Sequence, residues 1–330
     1  MNKSHANISI FVPHIGCPNM CSFCNQRYIT GKHIAPGTDD IIEAVSIAKS
    51  SPKYQPQNTE IAFFGGSFTA INRNYMLTLL ETAHQFIKSG DVTGIRISTR
   101  PDAIDEEILI LLKKYGVTSI ELGAQSLNDN VLRLNNRGHS AKDVENASRL
   151  IKEYGFSLGL QMMTGLYGDC DDFSIYTAEK IIELQPDTVR IYPTIVLKNT
   201  DLAALYSDNR YMPQTLDEAV NLCSKLLEMF DIANIKVIRL GLHSIENNSY
   251  VAGPWHPAFS ELCYSKIFFN NALKLLDDKG EYIIFVNALG VSKMIGQRKQ
   301  NIFELKKLGY DCIVKTDNTL KDNTVKVERR

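Results

Sequence analysis

At 330 residues, with 44% apolar and 22% charged side chains, the chain can bury a large core and is too apolar to be disordered. A net charge of −1 excludes any global electrostatic pull toward nucleic acid or anionic membrane, and no apolar run approaches bilayer length. Seven cysteines, three of them within eight residues, do not make a disulfide framework, and the polar Met1–Asn7 lacks a signal-peptide pattern, so the expected location is the reducing cytoplasm.

Short β-branched runs alternate with amphipathic helical stretches along the chain. Ile8–Val12 reads as a strand and is followed by a long polar loop. A helix starts near Thr38, with Ile41, Ile42, Val45 and Ala48 on its apolar face. Glu60–Phe64 is the next strand and runs into Gly65-Gly66; Tyr75–Ile87 is helical and stops at Gly90. Gly94–Ser98, a helix over Glu106–Tyr115, and Ser119–Gly123 repeat the pattern. Ser140 with Asp143 predicts a capping box for a helix that Gly155 ends. Ser157–Met163 and Thr188–Tyr192 complete six strands. Thr215 with Glu218 opens a long helix to about Asp231, before a further strand at Lys236–Leu240. Such alternation implies right-handed crossovers and a parallel sheet. Polar residues after nearly every strand favour a partial TIM-type (β/α)6 barrel, whose active site lies at the carboxyl ends of its strands. The rhythm changes beyond His243. Residues 1–240 are expected to form the core barrel. Residues 241–330 are expected to form a smaller α+β subdomain, with a loop over Ser244–Pro257, a helix through Leu276 and a strand at Tyr282–Val286.

Cys17-Pro-Asn-Met-Cys21-Ser-Phe-Cys24 follows the first strand directly, a C-x3-C-x2-C run whose tight spacing is hard to attribute to chance. Three thiolates on one loop can hold three irons of a [4Fe–4S] cubane and leave the fourth open to a chelating ligand. The alternative is structural zinc bound by the three cysteines and His14. No second C-x2-C pair exists among Cys170, Cys223, Cys263 and Cys312, which read as core or surface residues.

The run resembles the signature of the radical S-adenosylmethionine (SAM) superfamily. Membership would imply reductive cleavage of SAM at the cluster to a 5′-deoxyadenosyl radical, fed by a low-potential donor such as ferredoxin or flavodoxin. The resemblance gives Phe23 the place of the aromatic that packs on the SAM adenine. Gly65-Gly66-Ser67 takes the place of the glycine motif that meets the methionine amino group. Gln125, in Glu121-Leu-Gly-Ala-Gln-Ser, matches a ribose contact, and Arg137, in Asn136-Arg-Gly-His139, matches the arginine that holds the SAM carboxylate. Gln161 stands where porphyrin-forming relatives have a ribose-binding Asp, and Ser98 where relatives have Glu. Phe63-Phe-Gly-Gly-Ser-Phe-Thr69, Thr99-Arg-Pro-Asp102, Asn136-Arg-Gly-His139 and Ile191-Tyr-Pro-Thr194 are similar to the Elongator catalytic-subunit group, over residues 8–206. Those relatives modify the wobble uridine of tRNA and carry an acetyltransferase domain, which is not expected to fit within these 330 residues.

Three readings of function stay open: radical chemistry on tRNA, radical chemistry on a small molecule or peptide, and a non-catalytic haem carrier. Residues 293–330 hold ten Lys/Arg against five Asp/Glu, a basic tail that suits a polyanion or a solvated surface. Within it Lys293, Arg298 and Lys299 are candidate phosphate contacts. Trp255, between Pro254 and Pro257, either presents its ring to substrate or plugs the subdomain against the barrel.

Overall fold

Alternation of apolar and polar side chains builds the central sheet of the computed structural model, which describes residues 5–13, 20–24, 35–242 and 249–330. The strands are β1 (Ala6–Val12), β2 (Thr59–Gly65), β3 (Gly94–Thr99), β4 (Val117–Gln125), β5 (Ser157–Thr164), β6 (Thr188–Pro193), the short β7 (Val196–Leu197) and β8 (Lys236–Leu240). All but β7 form one parallel sheet in the order β1-β2-β3-β4-β5-β6-β8. The six expected strands are present, and β8 extends them to seven.

The helices that return the chain are α1 (Thr38–Lys49), α2 (Arg73–Lys88), α3 (Glu106–Lys114), α4 (Asp129–Leu134), α5 (Ala141–Glu153), α6 (Asp171–Leu184), α7 (Asp201–Ser207) and α8 (Leu216–Ile232). Capping boxes open α5 at Ser140 and α8 at Thr215, as their sequences predict. α6 carries no such signal: Cys170 makes no side-chain cap, and the helix ends on left-handed Gln185 rather than glycine. Ile42 of α1 departs from the expected face, being 47% exposed while Ile41 and Val45 are buried.

The sheet is strongly curled. The Arg190 guanidinium of β6 lies 5.5 Å from the Phe64 ring of β2, with three strands between them. A flat sheet would separate these strands by about 19 Å. The result is a half-barrel, a partial TIM-type architecture. Its convex face packs Ile10, Ile61, Phe63, Ile97, Leu122, Leu160 and Ile191 against the helices. The opposite parity turns Glu60, Arg96, Ser98, Glu121, Gln161 and Arg190 to the concave side, and burial of polar groups there demands internal partners.

The remaining elements are β9 (Tyr250–Ala252), α9 (Phe259–Leu273), β10 (Gly280–Val286), α10 (Val291–Ile295), α11 (Gln300–Lys307), β11 (Tyr310–Thr316) and β12 (Lys326–Arg329). β9 lies inside the stretch expected as loop and pairs antiparallel with β7. β10 is central to a second sheet, parallel to β11 and antiparallel to β12. α9 divides its residues between two cores: Phe259, Cys263 and Ile267 join the half-barrel, whereas Phe268 and Ala272 pack with Leu276, Ile284, Met294 and Leu305. No helix among the described residues is long and apolar enough to cross a membrane.

Candidate active site

The cysteine loop is tethered at the carboxyl end of the half-barrel. Cys17 and His14 lie outside the described residues; Cys21 is buried and Cys24 half-buried, neither in a disulfide. Cys24 N–H donates to Cys21 O (3.0 Å), which closes a turn between them. Ser22 N–H donates to Asn135 O (3.2 Å), its hydroxyl donates to Asn135 Oδ1 (2.7 Å), and its carbonyl accepts from Leu202 N–H (2.8 Å) at the start of α7. Asn135 is fully buried, and its Nδ2 donates to Val131 O (2.8 Å) and Tyr167 O (2.9 Å). One amide thus joins the cysteine loop, α4 and the loop after β5. Phe23 is half-buried against the apolar cluster of Val196, Leu202 and Tyr211.

Arg137 connects that loop to the sheet. Its Nη1 donates to Cys21 Sγ (3.1 Å) and its Nη2 to Gly123 O (2.6 Å), while the side chain is buried. The guanidinium thus fixes the position of one of the three sulfurs expected to ligate metal. The register of β4 and β5 shifts between Gly123 and Gln125, and Gln125 has a left-handed φ of 67°. Gln125 Oε1, Arg137 Nε, Ser98 Oγ and His139 Nδ1 are buried and have no partner among the described residues. Four such atoms at the ends of β3 and β4 suit a polar ligand between them. His139 Nε2 pairs with Ala124 O (3.2 Å), and burial, followed by the Arg137 charge, pushes its pKa down to about 4.

The end of β2 is a tight turn. Gly65 has φ 113°, and a Cβ there would stand 2.2 Å from Val12 O and 2.6 Å from the Phe11 ring, so the backbone itself requires glycine. Gly66 N–H donates to Val12 O (2.8 Å). Three hydroxyls fasten the turn to β3: Thr99 Oγ1 lies 2.8 Å from Ser67 Oγ and 2.6 Å from Thr69 Oγ1. Arg100 forks onto Asp102 through Nε (2.9 Å) and Nη2 (2.6 Å). The phrases singled out in the sequence therefore meet at one end of the sheet.

Deeper on the concave face, Gln161 Nε2 donates to Glu121 Oε1, and Arg190 Nε donates to Glu121 Oε2 (2.8 Å). Glu121 is 1% exposed, so its charge needs both partners. Gln161 donates one amide proton to Glu121, and among the described residues its carbonyl oxygen has no donor, which leaves it for a ligand hydroxyl. Asn135, Glu121, Arg190 and Thr99 were not assigned roles from the sequence. In the sequence Asn135, Arg190 and Thr99 adjoin or belong to the four phrases, and Glu121 begins the run that carries Gln125.

The other candidates lie elsewhere. Trp255 is half-buried, 6.2 Å from the Tyr250 ring. Lys293 stacks over Tyr264 at 4.6 Å, which takes it from the basic group. Arg298 and Lys299 line an open cleft of about 800 Å³ with His256, Phe303 and Lys306.

The cysteine loop, the fastened glycine turn and the half-barrel define a class. The family model of the radical SAM superfamily matches residues 11–174, and that of the Radical_SAM C-terminal domain matches residues 186–267. The chain belongs to the radical SAM superfamily, which makes it an enzyme whose substrate is open. Within that class it is similar to the tRNA uridine(34) acetyltransferase of Dehalococcoides mccartyi, with 23% identity over 239 residues, 62% of this chain and 52% of the relative. It is 29% identical over 191 residues to Elongator complex protein 3 of Schizosaccharomyces pombe, covering 52% of this chain and 35% of that one. The chain thus spans about half or less of the length of these relatives. Archaeal Elp3 from Methanocaldococcus infernus, with an N-terminal deletion, has the same fold at a TM-score of 0.65 and 22% identity, over 84% of this chain and 65% of that one.

Proposed function

We propose that the chain binds one [4Fe–4S] cluster through Cys17, Cys21 and Cys24, binds SAM beside it, and performs radical chemistry in the modification of tRNA. The observation that carries this reading is the Arg137–Cys21 contact beside four buried polar atoms that lack partners among the described residues. When bound together, cluster and SAM supply a reductively generated 5′-deoxyadenosyl radical. The protein's own residues bind and orient. Asn135 fixes the cysteine loop through Ser22. Arg137 holds the Cys21 sulfur and keeps Nε for the SAM carboxylate. Gln125, Gln161 and Ser98 offer polar atoms to the ribose and amino acid, and the turn at Gly65 and Gly66 gives close backbone approach. Phe23 presents the remaining face of its ring to the adenine. The curled sheet encloses the site and limits water, which a reactive radical requires. Similarity to the tRNA uridine(34) acetyltransferase of Dehalococcoides mccartyi supports tRNA as substrate. A cytoplasmic ferredoxin or flavodoxin fits as electron donor.

Anaerobic reconstitution tests the reading. The expected protein holds about four irons and four sulfides and loses both when the three cysteines become alanine. With dithionite and SAM it releases 5′-deoxyadenosine, faster when bulk tRNA is added. A protein that holds one zinc and no sulfide would overturn the cluster, and bound haem without SAM cleavage would favour a carrier. SAM cleavage that tRNA leaves unchanged would remove tRNA as substrate.

A further inference from the structure

The concave face contains a row of side chains set by strand register. Gly123 pairs with Gln161, Gln161 with Arg190, and Arg190 with Arg239, so β4, β5, β6 and β8 place Gly, Gln, Arg and Arg side by side. Neighbouring strands are about 4.8 Å apart, which puts the Arg239 backbone about 10 Å from that of Gln161.

Charge on this face is nearly balanced. Arg96 Nε pairs with Glu60 (3.3 Å) and Arg190 Nε with Glu121 (2.8 Å). Arg239 is left over. Among the described residues no carboxylate lies within ion-pair reach of it, and its one protein acceptor is Gly241 O, taken by Nε at 3.0 Å. Among the described residues neither of its Nη groups has a partner. The side chain is half-buried, and burial, opposed by Tyr192 and reinforced by Arg190, disfavours its charged form. Tyr192 lies on the same face. Its hydroxyl accepts from Arg190 Nη1 (3.5 Å), so its own proton is free to be donated. Two adjacent guanidinium groups, one of them without a counterion among the described residues, form a site that is stable when an anion lies against it.

We propose that Arg239, assisted by Tyr192 and Arg190, is an oxyanion subsite that receives a phosphate or carboxylate group of the substrate. The assignment rests on the half-barrel being the place where radical and substrate meet. It places the anionic end of the substrate toward β8, and the carbon to be attacked toward β4 and β5. Planar, multidentate donors suit either anion, and Lys could replace Arg239 only as a point charge. For tRNA the group would be a backbone phosphate beside the modified uridine.

Equilibrium dialysis of labelled uridine 5′-monophosphate against the anaerobically reconstituted full chain, with SAM present and at low salt, tests this. Wild type is expected to retain the nucleotide, orthophosphate to displace it, and Arg239→Gln to weaken retention by about tenfold or more, with Arg239→Lys between the two. Displacement by acetate as effective as by orthophosphate would identify a carboxylate as the group received, on the same subsite. Equal retention by wild type and Arg239→Gln, no displacement by either anion, or no retention at all would overturn the proposal. Thermal midpoints of both variants control for folding, and the anion competition is read on wild type alone. Failure of the underlying radical reading is separate, since wild type would then release no 5′-deoxyadenosine whatever it retains.

Discussion

Replacing His139 by Gln should flatten the response of stability to mild acid. His139 is buried, pairs through Nε2 with Ala124 O and leaves Nδ1 without a partner among the described residues. Its pKa in the fold is about 4, against about 6.5 for an exposed histidine, so the unfolded chain takes up this proton first. Stability associated with neutral His139 is therefore complete above pH 6.5 and is lost as the pH falls toward 4. At 1.36 kcal/mol per pKa unit, about 2 kcal/mol is gone by pH 5. Asp169 works in the opposite direction. Burial raises its pKa from 3.8 to about 6, although Oδ2 accepts from Ser174 Oγ (2.7 Å) and Gly165 N–H (3.0 Å). The fold takes up this proton before the unfolded chain does, which returns about 1.3 kcal/mol between pH 7 and pH 5. Wild type should therefore lose only about 0.5 kcal/mol over that interval from these two groups. His139→Gln keeps a donor for Ala124 O and should instead gain about 1 kcal/mol, whereas Asp169→Asn should lose about 2 kcal/mol. Urea unfolding followed by far-ultraviolet circular dichroism at pH 7 and pH 5, without oxygen, reads the differences. A His139→Gln protein whose acid loss equals that of wild type would refute the reasoning.

Gly65→Ala places a methyl 2.2 Å from Val12 O at φ 113°, so a loss of about 3 kcal/mol or more is expected in thermal or urea unfolding. A wild-type midpoint would show that the turn relaxes. Arg137→Ala is expected to keep the iron content of wild type and to weaken SAM binding by about tenfold, measured by equilibrium dialysis. Unchanged SAM affinity at normal iron content would remove Arg137 from the SAM site.

Local pattern alone determined much of this protein. Period-two runs such as Glu60–Phe64 and Thr188–Tyr192 fall within strands, because alternate residues of a strand face opposite sides of the sheet. The Ser140 and Thr215 boxes mark helix starts because the capping chemistry is contained within four residues. The C-x3-C-x2-C spacing and the four polar phrases pointed to the superfamily, and the right-handed crossover rule brings the ends of successive parallel strands to one side. Other features depend on which distant residues meet. Asn135 gave no sign that it holds the cysteine loop, since Ser22 is 113 residues away. Gln161, matched to a ribose contact, also donates to Glu121, and Arg137, matched to the SAM carboxylate, commits its fork to Cys21 and Gly123. α6 formed without a capping residue or a terminal glycine because packing of Ala178 and Ile181 against the half-barrel core stabilises it. The row from Gly123 to Arg239 arises from register and two bulges across four strands, and the closeness of Arg190 to Phe64 arises from sheet curl. Register, bulge and curl are set by side-chain packing over the whole sheet, and no window of neighbouring residues contains that information.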